Sequence, residues 1–592
     1  MQTRGRASFG TGGPEDAWRV ELAAPLDVRE AWTPSDVRAV VTWADEVSRA
    51  GRWAVLLLAY EAAPAFDEAL RVRPASPSLP LAWAAAYAAP SMPAESRLRT
   101  DGPGHTSAAG VPWAPGLDEA RFARDIARVL DHIAAGDTYQ VNYTFPLHAP
   151  FVHEPWAWFE ACARQAMVPF PACIDLGSTL VMSLSPELFL ERTGDRLRAR
   201  PMKGTIRRGR WHAEDDRLAQ TLVRSEKARA ENVMIVDLLR NDIGRVAVTG
   251  SVQVADLCAL ERYPTVWQLT SRIDAALRPG LSLWDLLCAT FPCGSITGAP
   301  KVRTMEVIAD LESSPRGLYT GTICLLRPGG NLLASVPIRT VVLDRTTGIA
   351  TFNVGAGITA DSTAADEWAE CLAKARVVRP PAVPEDAALF ETLRLEDGQY
   401  VRRDAHVARL LDSAGLFGWP APRARVEAVL DGLAAAYIDG TWRARLQLDR
   451  TGVVQAEAVA FVREDPARVR RVALAPTPVD TRSPLLFNKT TRREVYDEAR
   501  AARPDVDDVL LWNARGELTE GTIANLVVEL DGVRVTPPIA SGLLPGVFRA
   551  DLLARGAIEE RVVLVSDLPR ASRLWLVNSL REWMPIAWDG RV

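Results

Sequence analysis

The chain has 592 residues, of which 48% are hydrophobic and 24% charged, and its formal net charge is −5. These are the proportions of an ordinary globular protein, and the length predicts more than one domain. The small negative charge argues against nucleic acid as a partner, and no apolar run reaches the roughly 18–20 residues that span a bilayer. Scattered cysteines without a CxxC pair, and an N-terminus without an apolar stretch, predict a cytoplasmic protein with reduced thiols and no membrane partner.

Strands and amphipathic helices alternate along the first half. Residues 117–135 are predicted as a helix because apolar side chains recur at helical spacing, and Gly136 is a natural residue to end it. A strand is predicted over 139–147. Further helices are predicted over about 218–240 and 363–378. The same alternation occurs in the second half, so both halves are predicted to be α/β or α+β.

The clearest domain boundary lies at 378–385. Pro380, Pro381 and Pro384 cannot continue a helix and favour an extended connection. A weaker break, rich in Gly, Pro and Ser, lies at 101–116. The predicted organisation is an N-terminal part over 1–115, a catalytic domain over 116–378, a proline-rich linker over 379–386 and a second domain over 387–592.

Lysine is scarce in this chain. Only five lysines occur among 69 basic residues, which leaves 64 arginines. Arginine keeps its proton in proteins, whereas lysine can act as a nucleophile or form a Schiff base. Lys203, in the segment 201–205, and Lys489, in the segment 487–491, are therefore candidates for covalent chemistry. A solvated surface amine is the alternative for each of them.

Four segments of the first half carry chemically useful side chains. They are a Ser-Pro-Glu motif ending at Glu187, the segment around Lys203, a glycine-bearing turn over 294–301, and a glycine-rich stretch over 355–362 followed by two glutamates on one helix face. Singly, each has a structural explanation as a turn, a helix-start charge or a solvated face. The occurrence of all four segments in this order identifies a family more specifically than any one of them does.

Taken together, these segments resemble the chorismate-utilising enzymes from about Arg121 to Lys374. The resemblance implies a large α/β sandwich that binds chorismate and Mg²⁺, with Glu231 and Glu370 as metal ligands and Glu367 nearby. Carboxylate oxygens suit Mg²⁺, and an arginine fork with glycine backbone suits a substrate carboxylate. The substrate-binding residues that the resemblance implies are Thr297, Arg339, Gly355, Ala356 and Gly357.

Two positions distinguish subgroups of that family. Members that add water have lysine where this chain has Gln140, and anthranilate synthases usually have alanine where this chain has Lys203. A lysine there resembles the aminodeoxychorismate synthases, in which it attacks C2 of the ring before ammonia adds at C4. Glu187 is then the implied acid and base. Gln268 replaces a histidine that is linked to pyruvate elimination in the anthranilate branch, which makes elimination at this first site less expected.

The second half, from about Ala388 to Trp583, resembles the fold-type-IV pyridoxal phosphate (PLP) enzymes, which implies a smaller two-layer domain. Lys489 is the implied Schiff-base lysine, and Glu520 the implied partner of the pyridine nitrogen. An exposed helix arginine and a strand-end acid are the alternatives for Arg409 and Glu520. The implied phosphate-binding groups are Arg409 and the backbone N–H groups of Val547 and Phe548.

The two resemblances together imply synthesis of 4-aminobenzoate, a folate precursor. Chorismate would be aminated to 4-amino-4-deoxychorismate, and the PLP domain would then eliminate pyruvate. Because the chain has no Gly-x-Cys-x-Gly elbow, ammonia would come from solution or from a separate glutamine amidotransferase subunit. The alternatives are an anthranilate synthase component I fused to a PLP aminotransferase, and a binding or regulatory protein with degenerate sites. A homodimer formed through the PLP domain is a further expectation.

Overall fold

The chain folds into two compact units. The computed structural model describes residues 4–10, 19–90, 111–375, 383–384 and 386–590. Most of the predicted linker, 379–386, therefore lies outside the described residues. Unit 1 consists of Met1–Arg207 and Ala219–Pro380, and unit 2 consists of Arg208–Leu218 and Pro381–Val592. Unit 2 thus includes a short segment that the predicted bounds had placed inside the first catalytic domain.

Unit 1 is rich in β-strands. In chain order these are β1 (Ala7–Gly10), β2 (Arg19–Leu22), β3 (Asp27–Ala31), β4 (Trp53–Leu58), β5 (Ala82–Tyr87), β6 (Ala114–Pro115), β7 (Gln140–Pro150), β8 (Phe170–Asp175), β9 (Thr179–Ser185), β10 (Leu188–Thr193), β11 (Arg196–Arg200), β12 (Met202–Arg207), β13 (Gln253–Arg262), β14 (Val266–Ala276), β15 (Gly298–Ala299), β16 (Thr322–Arg327), β17 (Asn331–Ser335), β18 (Thr340–Asp344) and β19 (Ile349–Ile358). The helices over the same stretch are α1 (Pro34–Arg49), α2 (Glu119–Ala134), α3 (Pro155–Ala166), α4 (His212–Arg224), α5 (Glu226–Gly244), α6 (Leu283–Thr290), α7 (Lys301–Leu311) and α8 (Ala364–Ala375).

Two large antiparallel sheets pack face to face in unit 1. The first has the order β15-β7-β19-β18-β9-β8-β1-β2, with β6 on β7, and the second has the order β12-β14-β11-β10-β17-β16-β4-β5-β3, with β13 on β14. Alternation along β4 puts Val55 and Leu57 against Ile174 of the first sheet, whereas Leu56 and Leu58 face the cluster that contains α1, α5 and α6. The other face of the first sheet packs against α2, α3, α7 and α8. This helix–sheet–sheet–helix sandwich confirms the predicted fold of the first half.

Unit 2 contains two smaller sheets. Its strands are β20 (Leu389–Glu396), β21 (Gln399–Tyr400), β22 (Thr441–Leu448), β23 (Val454–Ala460), β24 (Arg470–Leu474), β25 (Asp508–Trp512), β26 (Leu518–Gly521), β27 (Asn525–Leu530), β28 (Val533–Thr536), β29 (Glu559–Glu560), β30 (Arg573–Asn578) and β31 (Glu582–Trp588). Its helices are α9 (Arg403–Phe417), α10 (Arg423–Ala436), α11 (Glu494–Ala502) and α12 (Val547–Ala554).

The smaller sheet of unit 2, in the order β21-β20-β22-β23, shares a core with α9 and α10. The larger sheet has the order β26-β25-β24-β31-β30-β27-β28-β29, and a pairing of β26 with β27 closes six of these strands into a ring. β24 runs parallel to both β25 and β31. Leu474, Leu510 and Leu526, from three strands of the ring, belong to one apolar core.

The predicted helices were partly right. Helix 117–135 is confirmed as α2, whose N-cap Asp118 accepts from Arg121 N and whose C-terminal Gly136 has a φ of +78°. The single helix predicted over 218–240 is wrong, because Ser225 caps a new helix by accepting from Ala228 N and so separates α4 from α5. The helix predicted over 363–378 is α8, and 376–378 lie outside the described residues. No helix in the described part of the chain is both long and apolar enough to cross a membrane.

Candidate active sites

A cleft of about 380 Å³ lies in unit 1, a size suited to a small-molecule ligand. Its walls come from β12, α5, α8, the end of β19, and the turns that precede β10 and β18. The predicted residues that line it are Glu187, Lys203, Glu231, Arg339, Gly355, Gly357, Glu367 and Glu370. Folding thus brings side chains that are up to 183 positions apart in the sequence, from Glu187 to Glu370, to one site.

Lys203 lies on β12 with its amine beside Gly357. A Cβ atom on Gly357 would meet both Lys203 Nζ and Gln140 Nε2, so a side chain at this position would displace these two groups. Burial lowers the pKa of the Lys203 ammonium, and Glu231 partly offsets that effect. Both amide atoms of Gln140 are buried and have no hydrogen-bond partner among the described residues. The site therefore holds an amine that loses its proton more readily than an exposed lysine does, beside an amide whose hydrogen bonds are unmade.

Gln268 supports the strand that carries Lys203. Its Oε1 accepts from Thr205 Oγ1 at 2.7 Å, and its Nε2 donates to Gly204 O at 2.9 Å. The side chain is 5% exposed and also lines the cleft. Gln268 thus fixes the backbone on the C-terminal side of Lys203, a role that its place in the sequence did not reveal.

Glu187 is a buried acid that lines the cleft. It is 3% exposed, and its Oε1 accepts from Ser295 Oγ at 2.6 Å. Burial raises the pKa of Glu187 to about 7, although the hydrogen bond from Ser295 and the charge of Lys203 act in the opposite direction. A carboxyl group with this pKa can donate or accept a proton near neutral pH, as a general acid or base must.

Arg339 has the properties of an anion-binding residue. Its φ of +51° is in the left-handed region, a conformation that costs energy for a residue with a side chain and is often found at functional sites. Burial lowers the pKa of its guanidinium, with Tyr263 opposing that shift. No salt bridge to Arg339 occurs among the residues that the structure describes, so its charge is available to a ligand in the cleft.

Three glutamates, Glu231, Glu367 and Glu370, line the cleft. Glu370 Oε1 accepts from Lys374 Nζ at 2.7 Å, and the charge of Lys374 lowers the pKa of Glu370. Glu367 accepts from Ser362 Oγ at 2.7 Å, and burial raises its pKa. Glu231 and Glu370 both act electrostatically on Lys203. The described residues contain no group of three or more His, Cys, Asp or Glu side chains in a metal-binding arrangement. Two carboxylates with substrate and water as further ligands are nevertheless an ordinary donor set for Mg²⁺, so these residues fit the ion.

Two predicted substrate-binding residues, Thr297 and Ala356, lie outside the described lining of the cleft, and their roles stay predictions. Thr297 is fully buried, and its hydroxyl bonds the backbone carbonyls of Cys293 and Gly294, which makes it part of the turn rather than of the cleft wall. Ala356 packs its side chain into the core behind the cleft. The expected loop at 355–357 is the end of strand β19, paired with β7, and so successive side chains point to opposite faces.

The sequence left other cleft residues unassigned. Ser295 and Lys374 are in direct contact with predicted residues, and Lys227 also lines the cleft. Lys301 forms a partly buried pair with Asp242 at 2.8 Å. Lys374 and Lys301 are therefore paired amines, whereas Lys227 is exposed at the cleft, and the scarcity of lysine was the signal that could have found Lys374.

The second candidate site surrounds Lys489 in unit 2. The Lys489 ammonium lies 4.6 Å from the centre of the Phe390 ring, and Phe390 N donates to Lys489 O at 2.9 Å. Burial and the charge of Arg409 lower the pKa of Lys489 to about 8, although Glu391 and Glu520 act in the opposite direction. This amine loses its proton more readily than an exposed lysine does, which favours nucleophilic chemistry.

Glu520 is a buried acid close to Lys489. Its Oε1 accepts from Tyr496 Oη at 2.9 Å and from Leu544 N at 3.0 Å, and its Oε2 accepts from Asn525 Nδ2 at 3.0 Å. Burial raises the pKa of Glu520 to about 7. A cationic ring nitrogen would offset the cost of holding this carboxylate ionised, as the predicted role requires.

Arg409 is oriented by a second buried acid, Glu391. Arg409 Nε donates to Glu391 Oε1 at 2.8 Å and Arg409 Nη2 donates to Glu391 Oε2 at 2.5 Å, while His406 Nδ1 lies 2.7 Å from Glu391 Oε2. Arg409 Nη1 donates to Pro545 O at 3.1 Å. This carbonyl lies just before α12, whose first backbone N–H groups, on Val547 and Phe548, have no partner within the helix.

The donor set around Lys489 therefore fits PLP. It combines an amine of lowered pKa, an acid suited to a ring nitrogen, and an arginine near a helix N-terminus that suits a phosphate. Arg445 was not predicted: its guanidinium lies 4.7 Å from the centre of the Phe390 ring, against which Lys489 also lies. In the sequence this arginine is one of 64 and carries no distinguishing signal.

The fold and the two sites define an enzyme with two catalytic units. Residues 11–380 match the family model of the chorismate binding enzymes, and residues 388–587 match that of the class IV aminotransferases. The chain belongs to the chorismate binding enzyme family, and its second unit is a class IV aminotransferase domain, which implies PLP.

The first unit is similar to two differently named groups of enzymes. The aminodeoxychorismate synthase component 1 of Salmonella typhimurium is 41% identical over 45% of this chain and 59% of its own length. An anthranilate synthase component 1 of Haloarcula marismortui is 40% identical over 48% of this chain and 59% of its own length. The chain thus spans about three fifths of the length of these curated relatives. The crystal structure of anthranilate synthase component I from Streptococcus pneumoniae has the same fold, with a TM-score of 0.52, 24% identity, and coverage of 64% of this chain and 91% of that one.

Proposed function

We propose that unit 1 converts chorismate and ammonia to 4-amino-4-deoxychorismate, and that unit 2 converts this product to 4-aminobenzoate and pyruvate. The observation that carries the proposal is the position of Lys203. Its amine, with a pKa lowered by burial, lies in the same cleft as Glu187, an acid with a pKa of about 7. A nucleophile that works without its proton and an acid that keeps its proton near neutral pH are the two groups that this amination needs.

In the first site the neutral amine of Lys203 forms a bond to C2 of chorismate. Both ring double bonds shift, the bond from C4 to its hydroxyl breaks, and Glu187 gives that hydroxyl its proton, so that water leaves. Ammonia then forms a bond to C4 while the bond between C2 and the Lys203 nitrogen breaks, which returns the double bonds to their positions and restores the amine. The new ammonium group gives one proton back to Glu187. The net change exchanges one hydroxyl for one amino group and needs no oxidant or reductant.

The charged side chains of the cleft hold the substrate for this reaction. Arg339, whose guanidinium forms no salt bridge among the described residues, would bind one substrate carboxylate in a forked arrangement. Glu231 and Glu370 would hold Mg²⁺, which would supply the positive charge that the ring carboxylate requires on the acidic side of the site. Lys374 keeps Glu370 ionised through the 2.7 Å contact between them.

In the second site the groups around Lys489 would bind PLP, which supplies an electron sink for the carbon that bears the amino group. Lys489 would hold the cofactor and, once freed by the substrate amine, would take the proton from C4. Cleavage of the C3–O bond then releases pyruvate and leaves an aromatic ring. Glu520 would keep the cofactor ring nitrogen protonated, and Arg409 with the first turn of α12 would bind the phosphate. Arg445, beside Phe390, would bind a substrate carboxylate.

The second candidate is an anthranilate synthase component I joined to an aminotransferase. Its support is that relatives of both names match unit 1 at nearly the same identity, 41% and 40%. Lys203 favours the first candidate. Its amine lies in the cleft beside Gly357, whereas anthranilate synthases usually have alanine at position 203 and so have no amine there. For either candidate we propose that ammonia is delivered by a separate glutamine amidotransferase or taken from solution.

A product assay tests the proposal. The purified chain is incubated with chorismate, ammonium, Mg²⁺ and PLP, and the products are separated and identified by mass. The proposal requires 4-aminobenzoate and pyruvate in equal amounts. Anthranilate as the product would favour the second candidate. If 4-aminobenzoate forms with PLP and does not form without it, the last step belongs to unit 2.

A further inference from the structure

Unit 2 includes a segment from the middle of the chorismate-binding sequence. Residues Arg208–Leu218 group with unit 2, and the chain returns to unit 1 at Ala219. The segment is tightly bonded within itself, since Arg208 Nε and Nη2 donate to the two carboxylate oxygens of Asp215 at 2.8 and 2.6 Å. Arg208 Nη2 also donates to Leu416 O at 3.1 Å. The side chains of Arg208 and Asp215 are only 9% and 4% exposed, so this is a buried anchor.

The middle of this segment packs on the residues that precede Lys489. The Trp211 ring is stacked on Phe487, with 5.0 Å between ring centres and 25° between the ring planes. The Arg210 guanidinium lies 4.9 Å from the centre of the Trp211 ring and 4.8 Å from that of the Phe487 ring. Asn488 Nδ2 donates to Arg210 O at 2.9 Å. Both residues directly before Lys489 are therefore held by the segment.

Arg210 is itself fixed by two partners. Its Nε and Nη2 donate to the two carboxylate oxygens of Glu214 at 3.0 and 2.9 Å, and its Nη1 donates to Thr481 O at 3.1 Å. A forked pair of this kind holds the guanidinium in one plane, the geometry that stacking on aromatic rings requires. Arg210 thus connects the segment to the start of the loop that leads to Lys489.

The backbone at and after Lys489 is bonded to Phe390 of β20 and to Ala388, which directly precedes β20. Phe390 N donates to Lys489 O, and Thr491 N donates to Ala388 O at 2.8 Å. Residues 487–491 are therefore fixed both by the class IV sequence and by Arg208–Leu218. The second of these supports lies far outside residues 388–587, which match the class IV aminotransferase model.

We propose that Arg210 and Trp211 are positioning residues of the Lys489 site, and that Arg208–Leu218 is a functional part of the class IV aminotransferase unit. The segment fixes the backbone of Phe487 and Asn488, and thereby the direction from which the Lys489 amine enters the site. This inference rests on the proposed role of Lys489 as the residue that holds the cofactor.

Substitutions in the full-length chain test the role of the segment. Trp211→Ala removes the stacked ring, Trp211→Phe keeps an aromatic ring on Phe487, and Trp442→Ala is the matched control. Trp442 packs on Tyr437 at 4.5 Å in the core formed with α9 and α10. Amide hydrogen exchange over 484–491, measured without PLP, should become about 3- to 10-fold faster in Trp211→Ala, the change that loss of one aromatic pair produces. Trp211→Phe should remain near the wild type, and Trp442→Ala should leave this loop unchanged.

The second measurement follows PLP itself. In Trp211→Ala the PLP concentration for half-saturation should rise by a similar factor, and the pH midpoint of the bound cofactor's visible absorption should shift, because the amine of Lys489 is less well placed. Trp211→Phe should restore both values. Unchanged exchange over 484–491 together with unchanged PLP binding in Trp211→Ala overturns the inference. Failure of the wild-type chain to bind PLP would instead refute the proposed function of unit 2, and the exchange experiment would still decide whether the segment holds the loop.

Discussion

Replacement of Glu187 by glutamine should stabilise the protein while it abolishes amination of chorismate. The pKa of Glu187 is raised from 4.5 to about 7 by burial, which corresponds to about 3 kcal/mol of unfavourable free energy when the group is ionised in the folded state. Because the folded pKa is the higher one, this cost is absent below pH 4.5, grows as the pH rises from 4.5 to 7, and is complete above pH 7. Glutamine has nearly the same shape, can still accept from Ser295 Oγ, and carries no charge.

Urea denaturation of the wild type and Glu187→Gln, followed through the unfolding transition of unit 1, measures this effect. The stability advantage of Glu187→Gln should be about 2–3 kcal/mol larger at pH 8 than at pH 5. Glu46→Gln, at an exposed position on α1, is the control for the loss of a surface carboxylate. An advantage that is equal at both pH values, or a variant that is less stable at pH 8, would refute the assignment of Glu187 as a buried acid that titrates near neutral pH.

Three further substitutions test the two sites. Lys203→Arg keeps the positive charge but cannot act as a nucleophile, so chorismate amination followed by mass spectrometry should be almost abolished; a rate near that of the wild type would exclude covalent participation. Glu370→Gln should weaken Mg²⁺ binding by up to about 2 kcal/mol, which raises the half-saturating Mg²⁺ concentration roughly 30-fold. An unchanged Mg²⁺ titration of activity would show that Glu370 is not a ligand. Lys489→Ala should lose the visible absorption of bound PLP and accumulate 4-amino-4-deoxychorismate, because no other lysine follows residue 380; continued release of 4-aminobenzoate would place the second reaction elsewhere.

The sequence by itself determined which reactive side chains the protein has and most of its local structure. The rarity of lysine marked Lys203 and Lys489, because a chain that meets its other needs with arginine keeps lysine where a removable proton matters. Helix α2 could be predicted from its apolar stripe and its terminal glycine, since capping and periodicity act over a few neighbouring residues. The order of the motifs was enough to predict both fold classes.

Only the tertiary structure decided which of these groups act on one another. The pKa of Glu187 depends on burial and on Ser295, which is 108 positions away in the sequence. The sequence did not show that the side chains of Thr297 and Ala356 lie outside the cleft lining, because the facing of a turn or strand residue depends on pairing with distant strands.

The grouping of Arg208–Leu218 with the Lys489 unit left no mark in its local sequence. A stacked ring such as Trp211 on Phe487 joins residues 276 positions apart. Contacts of this range arise from the packing of whole sheets and helices, because local preferences constrain only the nearest few residues and burial is a property of the assembled core.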